Sequence, residues 1–143
     1  MPITSTVRQA LAKMKAHTYT AVPLVDTEGH YIATLTEGDL LWLFGENLGD
    51  DMIKVGKLKL SAIPLRTENR SVGIGASLSD LLGLLGSQNF VPVVDDEGVF
   101  IGIVRRREII DLCAGFLRDK YGENIDSFNS EVLLSIQDVS ATR

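Results

Sequence analysis

The chain has 143 residues, 45% of them hydrophobic, which is enough for one compact core without disulfide or metal staples. Its formal net charge is -5, with 14 Lys+Arg against 19 Asp+Glu. That balance excludes a general nucleic-acid binder, which carries a basic footprint, and leaves room for a small anionic ligand on a local basic patch.

Taken in chain order, the opening stretch MPITSTVRQALAKMKAH lacks the apolar core of a signal peptide. No window approaches the ~18 continuous apolar residues of a membrane span, so the expected location is cytoplasmic. Val7, Ala10, Leu11 and Met14 fall at i, i+3, i+4, i+7 and predict an amphipathic helix, started by the capping box Thr6-x-x-Gln9. Two strands around a turn follow in VPLV-DTEG-HYIATL. The Asp supplies side-chain hydrogen bonding at the turn and the Gly a positive φ, while Pro23, without an N–H, belongs at a strand start or edge. A second helix is expected in TEGDLLWLF, ending near Gly45, with Trp42 reading as core ahead of an exposed interaction face. From about Gly45 to Arg70 the chain reads as a linker, with a helical turn at VGKLKL, a strand-like AIPL, and loop at Pro64 and RTENR.

The pattern then recurs. SVGI (71–74) reads as a leading strand, with Gly73 and Gly75 permitting close backbone approach. A helix follows with Leu78, Leu81, Leu82 and Leu85 at the same spacing, behind Ser77-x-x-Asp80. The second hairpin is VPVV-DDEG-VFIGIV, and its Pro92 matches Pro23. The last helix, RRREIIDLCAGFL, is expected to end near Gly115 or Gly122. Cys113, the single cysteine, excludes an intrachain disulfide and reads as a buried structural thiol. The tail, with EVLLSIQDV at 131–139, stands outside this pattern and reads as a docking helix or a mobile end.

Laying AVPLVDTEGHYIA (21–33) on FVPVVDDEGVFIG (90–102) gives seven identities in thirteen positions without a gap, at a constant offset of 69. Such agreement is an internal repeat. A unit near 60 residues cannot cover its own apolar sheet face well, so two copies are expected to pack together as a pseudo-twofold α/β pair, each copy ordered β-α-β-β-α. The boundaries are residues 1–48 for the first repeat, 49–70 for the linker, 71–118 for the second repeat and 119–143 for the tail.

Two stretches carry chemistry. Thr36-x-x-Asp39 stands at a helix start, where it reads equally as a simple cap or as a ligand motif. In the latter case the carboxylate accepts from the adjacent hydroxyls of a ribose and the helix N–H groups face a phosphate. At the same place in the second copy stand Arg105, Arg106, Arg107 and Glu108. Arginine is a poor N-cap, and the three guanidinium groups read either as phosphate donors or as a solvated helix start paired with acids such as Asp111.

The helix, the run A/F-V-P-L/V-V-D-x-E-G-x-x-I-A/G and Thr-x-x-Asp before a helix resemble the cystathionine-β-synthase (CBS) domain. The duplication resembles a Bateman module, a tandem CBS pair, over about residues 3–118. The resemblance implies no enzyme and no catalytic cofactor. It implies a regulatory module holding an adenosine-containing ligand (AMP, ADP, ATP, S-adenosylmethionine or cyclic di-AMP) in the cleft between the repeats, a homodimer, and an effector protein that responds. It also implies the contacting residues: Thr4 in the strand before the first helix; Tyr19, Thr20 and Ala21 before Pro23; Thr36 and Asp39; Asn89, Phe90 and Val91 before Pro92; and Arg105, Arg106, Arg107 and Glu108, where the second copy departs from Thr-x-x-Asp. Tyr19 and Phe90 each read as a base-stacking ring or as core.

No metal ligand set is expected, because His17 and His30 stand alone in sequence and no CxxC, HExxH or GxSxG occurs. GIGASL lacks the third glycine of a dinucleotide loop. The rival reading is a CBS pair that binds no nucleotide and serves as a dimerisation or docking module through exposed helical faces such as LLWLF. A leading strand comparable to SVGI is expected to be short or missing in the first copy.

Overall fold

A computed structural model describes residues 1–49, 51–66 and 68–122. The chain forms two compact units, Met1–Arg105 and Arg106–Arg143. The segment 131–139 lies outside the described residues.

In the first unit, helix α1 (Val7–His17) starts at the Thr6–Gln9 capping box that the sequence predicts. It stops at Thr18, a non-glycine residue in the left-handed region (φ 54), which lets the Tyr19 N–H reach the Met14 carbonyl at 2.9 Å. Strands β1 (Ala21–Val25) and β2 (Tyr31–Thr36) pair antiparallel, and helix α2 (Glu37–Glu46) follows without a break. The leading strand of this repeat is reduced to one parallel bridge, Pro2 to Val25. The Ile3 N–H donates to the Val25 carbonyl at 2.8 Å.

The linker departs from its sequence reading. Helix α3 (Met52–Lys57) begins at the Asp51 cap, earlier than the predicted turn, and AIPL is not a strand. Leu60–Ala62 closes a 3-10 turn, with the Ile63 N–H on the Leu60 carbonyl at 3.2 Å and Pro64 having no N–H to offer. The Leu60 and Ser61 N–H groups instead bond the Ser5 and Ile3 carbonyls, tying this stretch to the chain start.

The second repeat reproduces the first in detail. A short β3 (Val72–Gly73) pairs parallel with β4 (Phe90–Val94), helix α4 (Leu78–Leu85) starts at the Ser77–Asp80 capping box, and β4 pairs antiparallel with β5 (Phe100–Arg105). Ala21 faces Thr36 as Phe90 faces Arg105, and both hairpins shift register at equivalent places, Leu24/Val25 and Val93/Val94. Sheet order is β1-β2 and β3-β4-β5.

The two hairpin turns meet reciprocally. The Tyr31 N–H donates to the Gly98 carbonyl at 3.2 Å, and the Phe100 N–H donates to the Gly29 carbonyl at 2.9 Å. Between these bonds His30 faces Val99, and the Tyr31 and Phe100 rings lie 6.4 Å apart. The offset of 69 carries one bond onto the other, turning Tyr31 and Gly98 into Phe100 and Gly29, and it pairs His30 with Val99, which is a pseudo-twofold written into the backbone. Gly29 and Gly98 sit at φ 94 and 85, a conformation that the turn requires and side chains resist.

Burial is less even than the sequence symmetry suggests. The main core joins Val7, Ala10, Met14, Val22, Leu24, Leu35, Leu40, Leu43, Val55, Leu60 and Ile63, so it belongs to the first repeat and its linker. In the second repeat Leu85, Phe90, Val91 and Pro92 are buried, while Ile101 and Ile103 on β5 stay exposed. Trp42, expected in the core, is 55% exposed, and the Arg66 guanidinium lies over its ring at 5.4 Å.

The second unit is described through helix α5 (Arg106–Tyr121), a single run that passes Gly115 and stops at Gly122, whose φ is 59. Cys113 on this helix is half-buried rather than enclosed.

Candidate functional site

The β-pairing decides which sequence-predicted residues meet. In the first repeat, Ala21 opposite Thr36 sets 19–21 beside 36–39, and the Glu37 N–H donates to the Thr20 carbonyl at 3.0 Å. In the second, Phe90 opposite Arg105 sets 89–91 beside Arg105. Each repeat therefore assembles its two motif segments by the same register. Thr4 lies exposed on the loop before α1, and among the described residues no hydrogen bond ties it to either segment.

Thr36 is the N-cap of α2, and its hydroxyl accepts from the Asp39 N–H at 3.2 Å. Asp39 Oδ2 in return accepts from the Thr36 N–H at 2.8 Å and from its hydroxyl at 2.7 Å. Asp39 Oδ1 accepts the Arg66 N–H at 2.9 Å, and the residue is only 2% exposed. The carboxylate is therefore a structural acceptor at both oxygens. Two amides at the helix start are already engaged by Thr20 and Thr36, which leaves fewer donors for a phosphate than the sequence suggests.

The aromatic candidates separate cleanly. Phe90 is buried and Val91 is fully enclosed beside it, so both are core. Tyr19 is 46% exposed, with its ring stacked on His17 at 5.0 Å. Thr20 and Asn89 are exposed, and Ala21 is half-buried. Arg105 ends β5 with its side chain exposed. At the start of α5, Arg106 is half-buried, Glu108 is exposed, and Arg107 pairs with Asp111 at 3.7 Å across one exposed turn. An exposed pair of that kind contributes little to stability.

Sequence reasoning missed the groups that fix the linker. Gln88, buried in front of β4, accepts the Arg70 N–H at 2.9 Å and donates to the Arg70 and Phe90 carbonyls at 3.0 and 3.2 Å. The Tyr31 hydroxyl donates to the Asn69 carbonyl at 2.7 Å and shares a bond with the buried Thr34 at 2.9 Å. Burial raises the Tyr31 pKa, and the bond to Thr34 offsets part of that rise. Arg66 pairs with Glu46 as well as covering Trp42. Nothing in the sequence pattern marked these residues, because a side-chain amide bonding a distant backbone leaves no periodic trace.

His30 also departs from its sequence reading. It is not alone: its Nδ1 lies 3.0 Å from Asp26 Oδ2 and 3.6 Å from Glu28 Oε2.

A groove of about 680 Å³ runs between α1 and α2, lined by Leu11, Met14, Leu40, Leu41 and Phe44, with Tyr19 at its edge. Its lining is mainly apolar, and of the predicted site residues only Tyr19 borders it.

Comparison with known proteins accords with this geometry. The family model for the CBS domain matches residues 1–46 and 60–115. A search of curated proteins finds no significant match. Among solved structures, a CBS domain protein from Streptococcus pneumoniae TIGR4 is 25% identical with a TM-score of 0.72, covering 81% of this chain and 78% of that one. CbpB in complex with c-di-AMP is 18% identical with a TM-score of 0.71, covering 86% and 81%. CBSX2 in complex with AMP is 24% identical with a TM-score of 0.64, covering 82% and 88%. The last two likenesses concern the fold. With both matched segments falling on the two halves of one structural duplication, the chain belongs to the CBS domain family, as a tandem pair.

Proposed function

We propose that this CBS pair is a regulatory module that binds an adenosine-containing nucleotide, AMP, ADP, ATP or cyclic di-AMP, and signals its presence to an effector protein in the cytoplasm. The observation that carries the reading is the matched register of the repeats, which assembles 19–21 with 36–39 and 89–91 with Arg105 in the same way. Structural relatives holding AMP and c-di-AMP support the ligand class.

In this reading Tyr19 supplies the exposed ring for the base, since Phe90 is core. Thr20, Ala21, Asn89 and Val91 contribute backbone, and Thr4 closes one side. Thr36 and Asp39 hold the start of α2, and Asp39 Oδ1 retains an acceptor position beyond the Arg66 amide for a ribose hydroxyl. Arg105 offers planar donors to phosphate oxygens, and the basic start of α5, Arg106, Arg107 and Glu108, is assigned the same ligand chemistry on its sequence position. The open apolar groove between α1 and α2 supports a homodimer, because a monomer rarely leaves such a face uncovered.

A second reading has its own observation. Asp39 is buried and bonded at both oxygens, which suits a pair that binds no nucleotide and acts only through its helical faces. Titrating the purified chain with AMP, ADP, ATP, cyclic di-AMP and S-adenosylmethionine separates the two. The nucleotide reading requires saturable binding by at least one of them. A competent dimer with no response to any favours the interaction module.

A further inference from the structure

The two hairpin turns share one construction and differ in one donor. In the second turn Asp95 Oδ1 accepts the Glu97 and Val99 N–H groups at 3.0 and 2.8 Å, and in the first Asp26 Oδ1 accepts the Glu28 and His30 N–H groups at 2.8 and 2.9 Å. The turn needs its aspartate but not an imidazole, since valine closes the equivalent one. What His30 adds is a nitrogen donor beside two carboxylates.

Those three donors converge. With Oδ1 engaged by the backbone, Asp26 Oδ2 is held 3.0 Å from His30 Nδ1. Glu28 Oε2 approaches the same nitrogen to 3.6 Å, and the three ligand atoms all lie within 4.8 Å of one another. The opposite edge of the ring is seated, because a methyl group on Gly98 would stand 3.8 Å from Cδ2, which keeps Nδ1 turned toward the acids. Ligand atoms around a tetrahedral ion of the zinc class stand about 3.3 Å apart, given metal–ligand distances of about 2.0–2.2 Å. The two separations at Nδ1 bracket that spacing, and the exposed Glu28 side chain has room to adjust its reach.

We infer that Asp26, Glu28 and His30 form a binding site for a divalent transition cation of the zinc class, with Asp26 Oδ2, Glu28 Oε2 and His30 Nδ1 as ligands. Two carboxylates balance the charge of the ion, and the imidazole nitrogen selects it over Mg²⁺ and Ca²⁺, which take oxygen ligands. The cation takes the place of the proton between Nδ1 and Oδ2. Asp26 and His30 are half-buried and Glu28 is exposed, so the remaining coordination positions face water. Bound there, the ion pins the turn whose Gly29 carbonyl accepts the Phe100 N–H from the other repeat.

The test titrates the full chain with Zn²⁺, following the imidazole nitrogen signals of both histidines by NMR and the affinity by competition with a zinc indicator. One equivalent is expected to shift His30 Nδ1 and leave His17 in place, while Mg²⁺ and Ca²⁺ at the same concentration shift neither. His30→Val, which installs the residue of the second turn, is expected to keep the fold and weaken Zn²⁺ binding about tenfold or more. Glu28→Gln is expected to weaken it too, and the charge-matched Glu97→Gln in the second turn to leave it unchanged. A His30 Nδ1 signal that Zn²⁺ does not move overturns the site, as does undiminished binding by His30→Val. Equal losses for Glu28→Gln and Glu97→Gln overturn it as well, since they would show attraction to surface charge alone. Should His30→Val not fold, the Nδ1 signal and the glutamate pair decide.

Discussion

Asp39 shows how one residue serves two accounts. The sequence offered it as cap or ligand, and the hydrogen bonds establish the cap while adding a third partner, the Arg66 N–H, 27 residues away. Removing the carboxylate takes away a capping box and leaves the part-buried Arg66 amide without its acceptor. Asp39→Ala is expected to cost about 2–4 kcal/mol of stability, and Thr36→Ala about 1 kcal/mol, both by urea denaturation without ligand. Equal, small losses for the two would remove Arg66 from the account. The same Asp39→Ala variant, compared at equal folded fraction, is expected to bind nucleotide more weakly, and unchanged affinity would withdraw it from the site. At this scale the sequence revealed residue types and spacing. It left open Tyr19 against Phe90, because Tyr19 falls in the loop before β1 while Phe90 opens β4 and is buried there.

At the scale of elements, local chemistry was highly legible. Both predicted capping boxes form, at Thr6 and Ser77 for α1 and α4, and Thr36, readable as cap or ligand motif, forms a third for α2, because a cap needs only residues three apart. The linker was less legible. AIPL has strand-like residues but no strand to pair with, since its neighbours' N–H groups go to the Ser5 and Ile3 carbonyls, a contact set by tertiary proximity. Trp42 misled for a related reason: helical periodicity cannot show that Arg66 from the linker would cover one face and leave the other in water. The end of α1 is open to a direct test. Thr18 holds a left-handed conformation that glycine adopts without strain, so Thr18→Gly is expected to leave stability unchanged or raise it by about 1 kcal/mol in thermal denaturation. A loss of similar size would show that its hydroxyl bond to the His17 carbonyl, at 2.6 Å, outweighs the backbone strain.

For the whole molecule the repeat was the decisive signal. An offset of 69 read from thirteen positions recurs in strand register, in bulge position and in the reciprocal bonds of the seam. What it did not reveal is the uneven burial, because α3 and the 3-10 turn lie in the linker and have no counterpart in the repeat alignment. The open groove on the first repeat leads to an assembly prediction. Leu41 is 67% exposed and lines that groove, so Leu41→Asp is expected to convert a dimer to a monomer in sedimentation experiments while leaving the melting temperature of the isolated fold almost unchanged. A dimer indifferent to this substitution would place its interface elsewhere.

The central claim is that this CBS pair senses an adenine nucleotide. Its most direct test is isothermal titration of the purified chain with AMP and cyclic di-AMP, paired with stability measurements at saturating ligand. The account predicts saturable heats for at least one of them and, at about 100 times its dissociation constant, roughly 2.7 kcal/mol of added stability. No heat and no change in stability with either, extended to ADP, ATP and S-adenosylmethionine, would contradict it.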